Sequence, residues 1–386
     1  MMVRWFGLLS LPAVVVTSVS FVRAVDASNT LSVTERAVEW LRDHHYGDAV
    51  SFVERIYYEH HQPPVGGTLA GGLPTAPVVE PSTPTGPARG TAAAPVPGPT
   101  PVAGPTVTVA DGIEPFVADP LPGEGAWEPL GEPVGGLAAL QVAYLRPDAE
   151  HGSVLAAVVR IDQTLARLRL VAGTTEPGPG PWPAGARLTA DDTASMLAAF
   201  NSGFRLGDAR GGVLIAGRTA GSLRDGAATL AVSSDGTATI GQWGRDLTAG
   251  PTITAARQNL DLIVDGGKVV GGLDSNAGDR WGRTVGNRLF VWRSGIGIDA
   301  RGRLLYAASG GLSVSTLAGV LQRAGAVRAM ELDINYAWVS FNVFGHDSGR
   351  PVGTKLLKEM KKSASRYLAP DARDFFAVLP RPAHGA

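Results

Sequence analysis

Gly325-Ala326-Val327-Arg328-Ala329-Met330-Glu331-Leu332-Asp333-Ile334-Asn335 follows a stretch with helical spacing and reads as a strand. From Met330 the alternation is strict. Met330, Leu332 and Ile334 point one way; Glu331, Asp333 and Asn335 point the other. Upstream, Ser315 to Ala324 carries Leu317, Val320 and Leu321 on one helical face, and Gly325 is a C-terminal stop. Leu304 to Ala308, before that helix, is another extended apolar run. A strand, a helix and a strand in this order predict parallel pairing of the two strands, with the end of the second strand where open sheets bind ligands.

The rest of the C-terminal chain reads as short strands. Apolar runs occur at Leu140 to Leu145, Val154 to Ile161, Leu165 to Val171, Val213 to Ala216, Ala228 to Ser233, Leu260 to Val264 and Leu289 to Ile298. Asp235-Gly236, Asp265-Gly266 and Arg301-Gly302 separate several of them. Glycine after aspartate is a hairpin signal because it accepts positive φ cheaply, so much of the sheet is expected to be antiparallel. A further helix is expected near Ala190 to Ala198, after Thr189. The predicted fold class is α+β: a β-rich mixed sheet with a few packed helices.

Composition narrows the chemistry. Across 386 residues, 34 Lys and Arg against 35 Asp and Glu give a net charge of -1, so no nucleic-acid partner is expected. The absence of cysteine removes thiol nucleophiles, zinc-thiolate sites and disulfides. Of 7 histidines, four precede the linker and His384 is at the tail, which leaves His151 and His346 in the body of the predicted domain, too few for a histidine metal cage. Asp274 to Asp279 lacks the spacing and closing glutamate of a calcium loop. No metal and no cofactor are expected.

The N-terminal part reads differently. Residues 1–27 form a signal peptide or membrane anchor: Trp5 to Val22 is uncharged and apolar between Arg4 and Arg23. Cleavage after Ala24 and retention as an anchor both remain open. Residues 28–61 read as a short helical hairpin opened by Ser32-Val33-Thr34-Glu35, which has capping-box spacing. Residues 62–122 are rich in Pro, Gly, Ala and Thr and predict a disordered linker. The folded domain is expected over 123–386, held away from a membrane or wall layer by that linker.

Three features carry the candidate chemistry. Glu331 and Asp333, two residues apart on a strand, lie roughly 6.5 to 7 Å from each other, so their charges couple and split acid from base roles. The plain alternative is a solvated strand face. In Ala198-Ala199-Phe200-Asn201-Ser202-Gly203-Phe204, Asn201 offers an amide that both donates and accepts, as sugar binding requires, or else a turn residue. In Trp292-Arg293-Ser294-Gly295-Ile296-Gly297-Ile298-Asp299 a cation sits within an apolar strand and demands an anionic partner, either a substrate phosphate or Asp333. Ser202 has no histidine near it in sequence, which disfavours a serine-hydrolase triad.

The order Ala198-Ala199-Phe200-Asn201-Ser202-Gly203-Phe204, Arg293-Ser294-Gly295-Ile296-Gly297-Ile298-Asp299, Gly310-Gly311, a helix from Ser315, Gly325-Ala326 and Met330-Glu331-Leu332-Asp333 resembles the phosphodiester glycosidase family. The resemblance spans about Leu188 to Asn342. It implies an α/β domain with a groove built from these segments and hydrolysis of sugar phosphodiesters. Asn201, Arg293 and Asp333 match the family's motif positions. Where the family carries glycines after the aspartate, this chain has Ile334-Asn335-Tyr336-Ala337-Trp338, whose side chains block close backbone approach to a phosphate.

The expected function is that of an exported carbohydrate-active hydrolase cleaving a glycosidic bond, with a sugar phosphodiester of the cell envelope as one candidate substrate. Asp333 and Glu331 are the expected catalytic pair; Asn201, Arg293, Asn335 and Tyr336 are the expected substrate-binding residues, with Trp338 a further candidate for stacking on a sugar. The expected partners are a glycan or sugar-phosphate and, if the N-terminal segment is uncleaved, a membrane. The alternative is a non-catalytic envelope module that binds glycans or serves as a scaffold on the same fold.

Overall fold

The computed structural model describes residues 112–382 apart from 179, 184, 276–279 and 283–289, together with residues 62–77 and parts of 18–60. Residues 1–17 and 24, which carry most of the expected export segment and its cleavage point, lie outside the described residues, as does 78–111 of the expected linker. Among the described residues no helix is long and apolar enough to cross a membrane.

Strands run along the chain as β1 (Glu128–Pro129), β2 (Leu140–Leu145), β3 (Ala156–Ile161), β4 (Ala166–Val171), β5 (Ala198–Asn201) and β6 (Val213–Ile215). There follow β7 (Arg218–Ala220), β8 (Ala228–Ser233), β9 (Ala238–Gln242), β10 (Ile253–Gln258), β11 (Leu262–Asp265) and β12 (Lys268–Val269). The last six are β13 (Val291–Asp299), β14 (Leu304–Leu312), β15 (Ala326–Glu331), β16 (Phe341–Asp347), β17 (Arg350–Lys355) and β18 (Phe375–Pro380). The helices are α1 (Val33–Leu41), α2 (Ala190–Ala194), α3 (Leu206–Ala209) and α4 (Val314–Arg323). The domain is α+β and β-rich, as its sequence predicts.

These strands build three antiparallel sheets: an eight-stranded one in the order β1-β2-β3-β14-β13-β15-β11-β12, and two five-stranded ones, β7-β6-β10-β8-β9 and β17-β16-β5-β18-β4. The side-chain period of two decides the layers. Along β14, Leu304, Tyr306 and Ala308 enter the core shared with the two smaller sheets, while Leu305 and Ala307 join the layer formed with α4. The helix begins at Ser313, whose hydroxyl accepts from Thr316 N–H while Thr316 caps in return. It buries Leu317, Val320 and Leu321, the face its spacing predicts. Gly295 lets it lie close, since a Cβ there would stand 3.0 and 3.1 Å from Leu321 and Leu317.

One pairing expectation is corrected. β14 and β15 do run parallel, but they are not neighbours: β13 lies between them and is antiparallel to both. The slot is filled by a strand from earlier in the chain whose Gly295 leaves room for α4 and whose Gly297 leaves room for Ala326 of β15. The three turn signals hold. Asp235-Gly236 joins β8 to β9, Asp265-Gly266 joins β11 to β12, and Arg301-Gly302 joins β13 to β14, each an antiparallel pair.

The disordered linker is also corrected where the structure describes it. Residues 62–77 lie on the domain: Gln62 exchanges hydrogen bonds with the backbone of Phe290, Gly66 N–H donates to Glu150 O at 2.6 Å, and Leu73 and Ala76 pack against the core. Ile113 is buried and its N–H donates to Gly125 O, so the fold begins before residue 123. Pro-rich composition does not prevent docking where a few apolar side chains meet a preformed surface.

Phe200 stacks on Phe341 and Phe376, with ring centroids 5.8 and 5.5 Å away, and meets Tyr306 at 5.3 Å. This cluster joins the eight-stranded sheet to the sheet of β5. Phe200→Ala is expected to cost about 3–5 kcal/mol, read as a lower denaturant midpoint with an unchanged slope.

Candidate active site

The run Ala198-Ala199-Phe200 makes β5 a fully buried strand, and the strand ends in a polar side chain, Asn201, inside the protein. A buried amide needs all its partners. Asn201 Oδ1 accepts from Tyr306 Oη and Ser340 N–H, both at 3.0 Å; its Nδ2 donates to Ser202 O at 2.8 Å and Ser294 Oγ at 3.0 Å. Ser294 Oγ in turn donates to Asp333 O at 2.9 Å. This chain ties β5 to β13 and β14, and ties both to the turn that follows β15.

Around it lie four buried guanidinium–carboxylate pairs: Arg257–Asp374 at 2.8 Å, Arg366–Asp371 at 2.7 Å, Arg373–Asp333 at 3.1 Å and Arg293–Glu331. Arg373 Nη2 also donates to Gly203 O, Arg257 donates to Phe204 O, and Arg366 Nη1 donates to Trp338 O and Ser340 Oγ. The backbone on both sides of the site, 203–204 and 338–340, is therefore held by the same arginines that neutralise the carboxylates. Removing one partner of such a pair strands a buried charge and costs roughly 3–5 kcal/mol.

The turn after β15 keeps its shape without glycine. Asp333 Oδ1 accepts Asn335 N–H at 2.9 Å, Asn335 Oδ1 accepts Ala337 N–H at 2.9 Å, and Asn335 O accepts the N–H groups of Trp338 and Val339. Among the described residues, positive φ outside glycine occurs only at Arg210, Ala216, Leu260 and Ser348, none in this turn. The short side chains of Asp333 and Asn335 supply the turn by Asx bonding. The backbone donors of 335, 337, 338 and 339 are engaged internally, so this turn offers no nest for a phosphate.

Glu331 and Asp333 differ in their surroundings. Glu331 is fully enclosed at 0% exposure on the α4 side of the sheet, against Arg293. Burial pushes its carboxyl up to about 7, although Arg293 pulls the other way; Asp333 nearby adds to the rise. Asp333 keeps 4% of its surface and is oriented by Arg373 and Asn335 N–H. Burial likewise opposes ionisation of Asp371, but Arg366 overrides it and holds that carboxyl below its usual range. Burial also raises Tyr367 to about 12, leaving it a neutral hydroxyl paired with Ser340 at 2.6 Å.

Asn201, Arg293, Glu331 and Asp333 thus come together at one junction. Their roles differ from the sequence expectation. The partner of Arg293 is Glu331 rather than Asp333 or a substrate phosphate, and its guanidinium is wholly buried. The amide of Asn201 is saturated by protein groups, so it frames the site instead of turning to a sugar hydroxyl. Asn335 is half-buried and Tyr336 is 41% exposed, so both stand at the outer end of the turn. Trp338 is buried beneath Arg366, Arg373 and Lys362, each within 5.1 Å of its ring, and presents no face to a sugar.

The two domain histidines lie elsewhere, His346 against Glu132 and His151 against Asp148. Among the described residues, no group of three or more His, Asp or Glu side chains is placed to hold a metal ion. Buried polar atoms without a protein partner mark the same junction: Ser202 Oγ beside Asn201, Glu331 Oε2, and Arg373 Nε on the arginine that holds Asp333. Such atoms call for a ligand or water.

Sequence reasoning missed Arg257, Arg366, Asp371, Arg373, Asp374 and Tyr306. A signal existed in Asp371-Ala372-Arg373-Asp374, three charges directly before the apolar strand Phe375–Pro380.

Residues 192–333 match the sequence model of the phosphodiester glycosidase family. The family match bears out the resemblance read from the motifs, and the family is one of glycosidase-type hydrolases acting on glycan-type substrates. The matched segment ends on Asp333 and contains Asn201, Arg257, Arg293 and Glu331; the partners Arg366, Asp371, Arg373 and Asp374 lie beyond it. No curated protein matches the chain. Similar solved structures, each 14% identical, include the zebrafish N-acetylglucosamine-1-phosphodiester alpha-N-acetylglucosaminidase catalytic domain auto-inhibited by its pro-peptide, with a TM-score of 0.40 over 66% of this chain and 87% of that one. Others are a hypothetical protein from Synechocystis (TM-score 0.36, 66% and 64%) and a putative exported protein from Burkholderia pseudomallei (TM-score 0.34, 60% and 75%).

A carboxyl raised from 4.5 to about 7 binds its proton more tightly folded than unfolded. Its contribution is full below pH 4.5 and is lost as pH rises to about 7, a change on the order of 3 kcal/mol. Glu331→Gln is expected to flatten that part of the stability profile, measured by denaturant unfolding between pH 4 and about 8.

Proposed function

We propose that the domain is a glycosidase that cleaves a sugar phosphodiester outside the cytoplasm, with Asp333 as the carboxylate that meets the substrate. The observation that carries this reading is the asymmetry of the pair: Asp333 keeps 4% of its surface at the turn after β15, whereas Glu331 is wholly enclosed. An ordinary glycoside leaves as an alkoxide and needs a proton from a second carboxyl group. A phosphate monoester leaves as an anion that is already stable at neutral pH, its second pKa being about 6. One carboxylate is then sufficient.

In this mechanism Asp333 acts as base toward a water, or as the nucleophile, at the anomeric carbon. The bond from that carbon to the phosphate oxygen breaks, and the electron pair departs with the phosphate. Arg373 and Asn335 N–H hold Asp333 in place. Glu331 is a positioning residue that neutralises Arg293 behind the strand. Asn201 and Ser294 fix the backbone of Asp333.

The uncharged apolar stretch Trp5 to Val22 supports export. On this reading the full-length chain fractionates outside the cytoplasm of its host, in a secreted or membrane fraction; recovery in the cytoplasmic fraction counts against it. A second reading, a non-catalytic glycan-binding or scaffold module, is favoured by the internally engaged N–H groups of the 333–339 turn.

Asp333→Asn separates the two. The enzyme is expected to cleave a synthetic glycosyl phosphodiester and to lose about 10²–10⁴-fold in turnover on this substitution, assayed where unfolding shows the variant still folded cooperatively though destabilised by the unpaired Arg373. A wild-type protein that binds the compound without turnover supports the module. Equal cleavage of an alkyl glycoside by the wild type would remove the argument from the phosphate leaving group.

A further inference from the structure

We propose that the basic pocket formed by Arg210, Arg224 and Arg280 binds the phosphoryl group of a phosphate ester. The pocket has a volume of about 310 Å³ and is lined by these arginines with Leu260 and Asp261. Three guanidinium charges against one carboxylate leave +2 among its described lining residues. A protein of net charge -1 has no general excess of cations, so this concentration is local.

The pocket is built rather than incidental. Asp261 Oδ1 accepts from Arg224 Nη2 at 3.2 Å, and Oδ2 accepts from Arg280 Nε at 2.9 Å, so one carboxylate spaces two guanidinium groups. Arg224 Nε donates to Arg210 O at 2.7 Å, and the guanidinium of Arg280 lies 4.7 Å from the ring of buried Trp281. Behind them, fully buried Gln258 accepts from Arg224 N–H at 2.7 Å and Gly212 N–H at 3.0 Å and donates to Arg224 O at 3.0 Å.

The backbone is shaped for the same purpose. Arg210 and Leu260 both have positive φ, 50° and 56°, a conformation that a bulky leucine rarely adopts. Leu260 is kept there by its N–H on Ala209 O and its carbonyl on Ala228 N–H, both 2.9 Å. The arginine heads remain open to solvent, with side chains 44% exposed at Arg224 and 55% at Arg280. Planar guanidinium groups suit the tetrahedral oxygens of a phosphate, to which they donate in pairs.

The pocket adjoins the Asp333 turn. Leu260 packs with Phe204 and Ile334, and the preceding residue, Asn259, donates to Glu331 O at 2.8 Å and Leu332 O at 3.3 Å. A phosphodiester whose phosphate sits on the arginines can direct its sugar toward Asp333; that placement, though not the anion site itself, rests on the function proposed above.

Titration of the full-length protein with inorganic phosphate by calorimetry at low ionic strength tests the site. Wild type is expected to bind, with affinity falling as salt is added. Arg224→Gln and Arg280→Gln are each expected to weaken binding about tenfold, and Asp261→Asn, which removes the negative charge, to tighten it several-fold. Asp333→Asn is expected to leave phosphate affinity unchanged. No binding by wild type, equal affinity in the Arg224→Gln/Arg280→Gln protein with its unfolding transition intact, or loss of binding in an Asp333→Asn protein shown by its unfolding transition to be folded would overturn the site. Phosphate binding with this mutational pattern in a protein that turns over no phosphodiester sustains the pocket and sinks the hydrolase reading instead.

Discussion

Burying a guanidinium is tolerable only with a carboxylate against it, and the junction of this domain's sheets is organised by that constraint. Arg257 lies in β10, Arg293 in β13, Glu331 at the end of β15, and Arg373 and Asp374 directly before β18. Three of the four pairs therefore join segments that are far apart in sequence: 117 residues separate Arg257 from Asp374, 40 separate Arg373 from Asp333, and 38 separate Arg293 from Glu331. Unpairing any one leaves a charge in the core. The strands converge because the alternatives are costly.

The chemistry depends on this frame. Spacing on a strand brings Glu331 and Asp333 close enough to interact, and their environments then divide them. Glu331 faces the α4 side and is sealed there with Arg293, while Asp333, just past the last residue of β15, keeps 4% of its surface. In the proposed reaction one carboxylate is enough, because the phosphate leaving group needs no proton. The same turn that presents Asp333 is closed by Asx bonds, so any phosphate must be recognised by side chains rather than by backbone N–H groups.

Much of the architecture was legible because it follows from local rules. Extended apolar runs marked β2, β8 and β13, two Asp-Gly pairs and Arg301-Gly302 marked three hairpins, and the spacing of Leu317, Val320 and Leu321 marked the buried face of α4. The motif order carried the family resemblance as well. Less legible were β5, read as the sequel of a helix, and β10, whose Ala255-Ala256-Arg257-Gln258 carries polar residues that are fully buried in the fold. A buried arginine and an exposed one look alike until the partner is known. Residues 62–77 were misread for a related reason: composition reports the lack of an independent core, not the presence of a surface to dock on.

The sequence alone determined the β-rich α+β class, the main hairpins and the family segment, since each is written in periodicity or in a short motif. Tertiary structure alone decided that β13 separates β14 from β15, that Arg293 pairs with Glu331, that Asn201 is saturated, and that three arginines and one aspartate line a pocket beside Leu260. The physical reason is that local patterns specify which face a side chain occupies, whereas long-range packing specifies which charge it will face there.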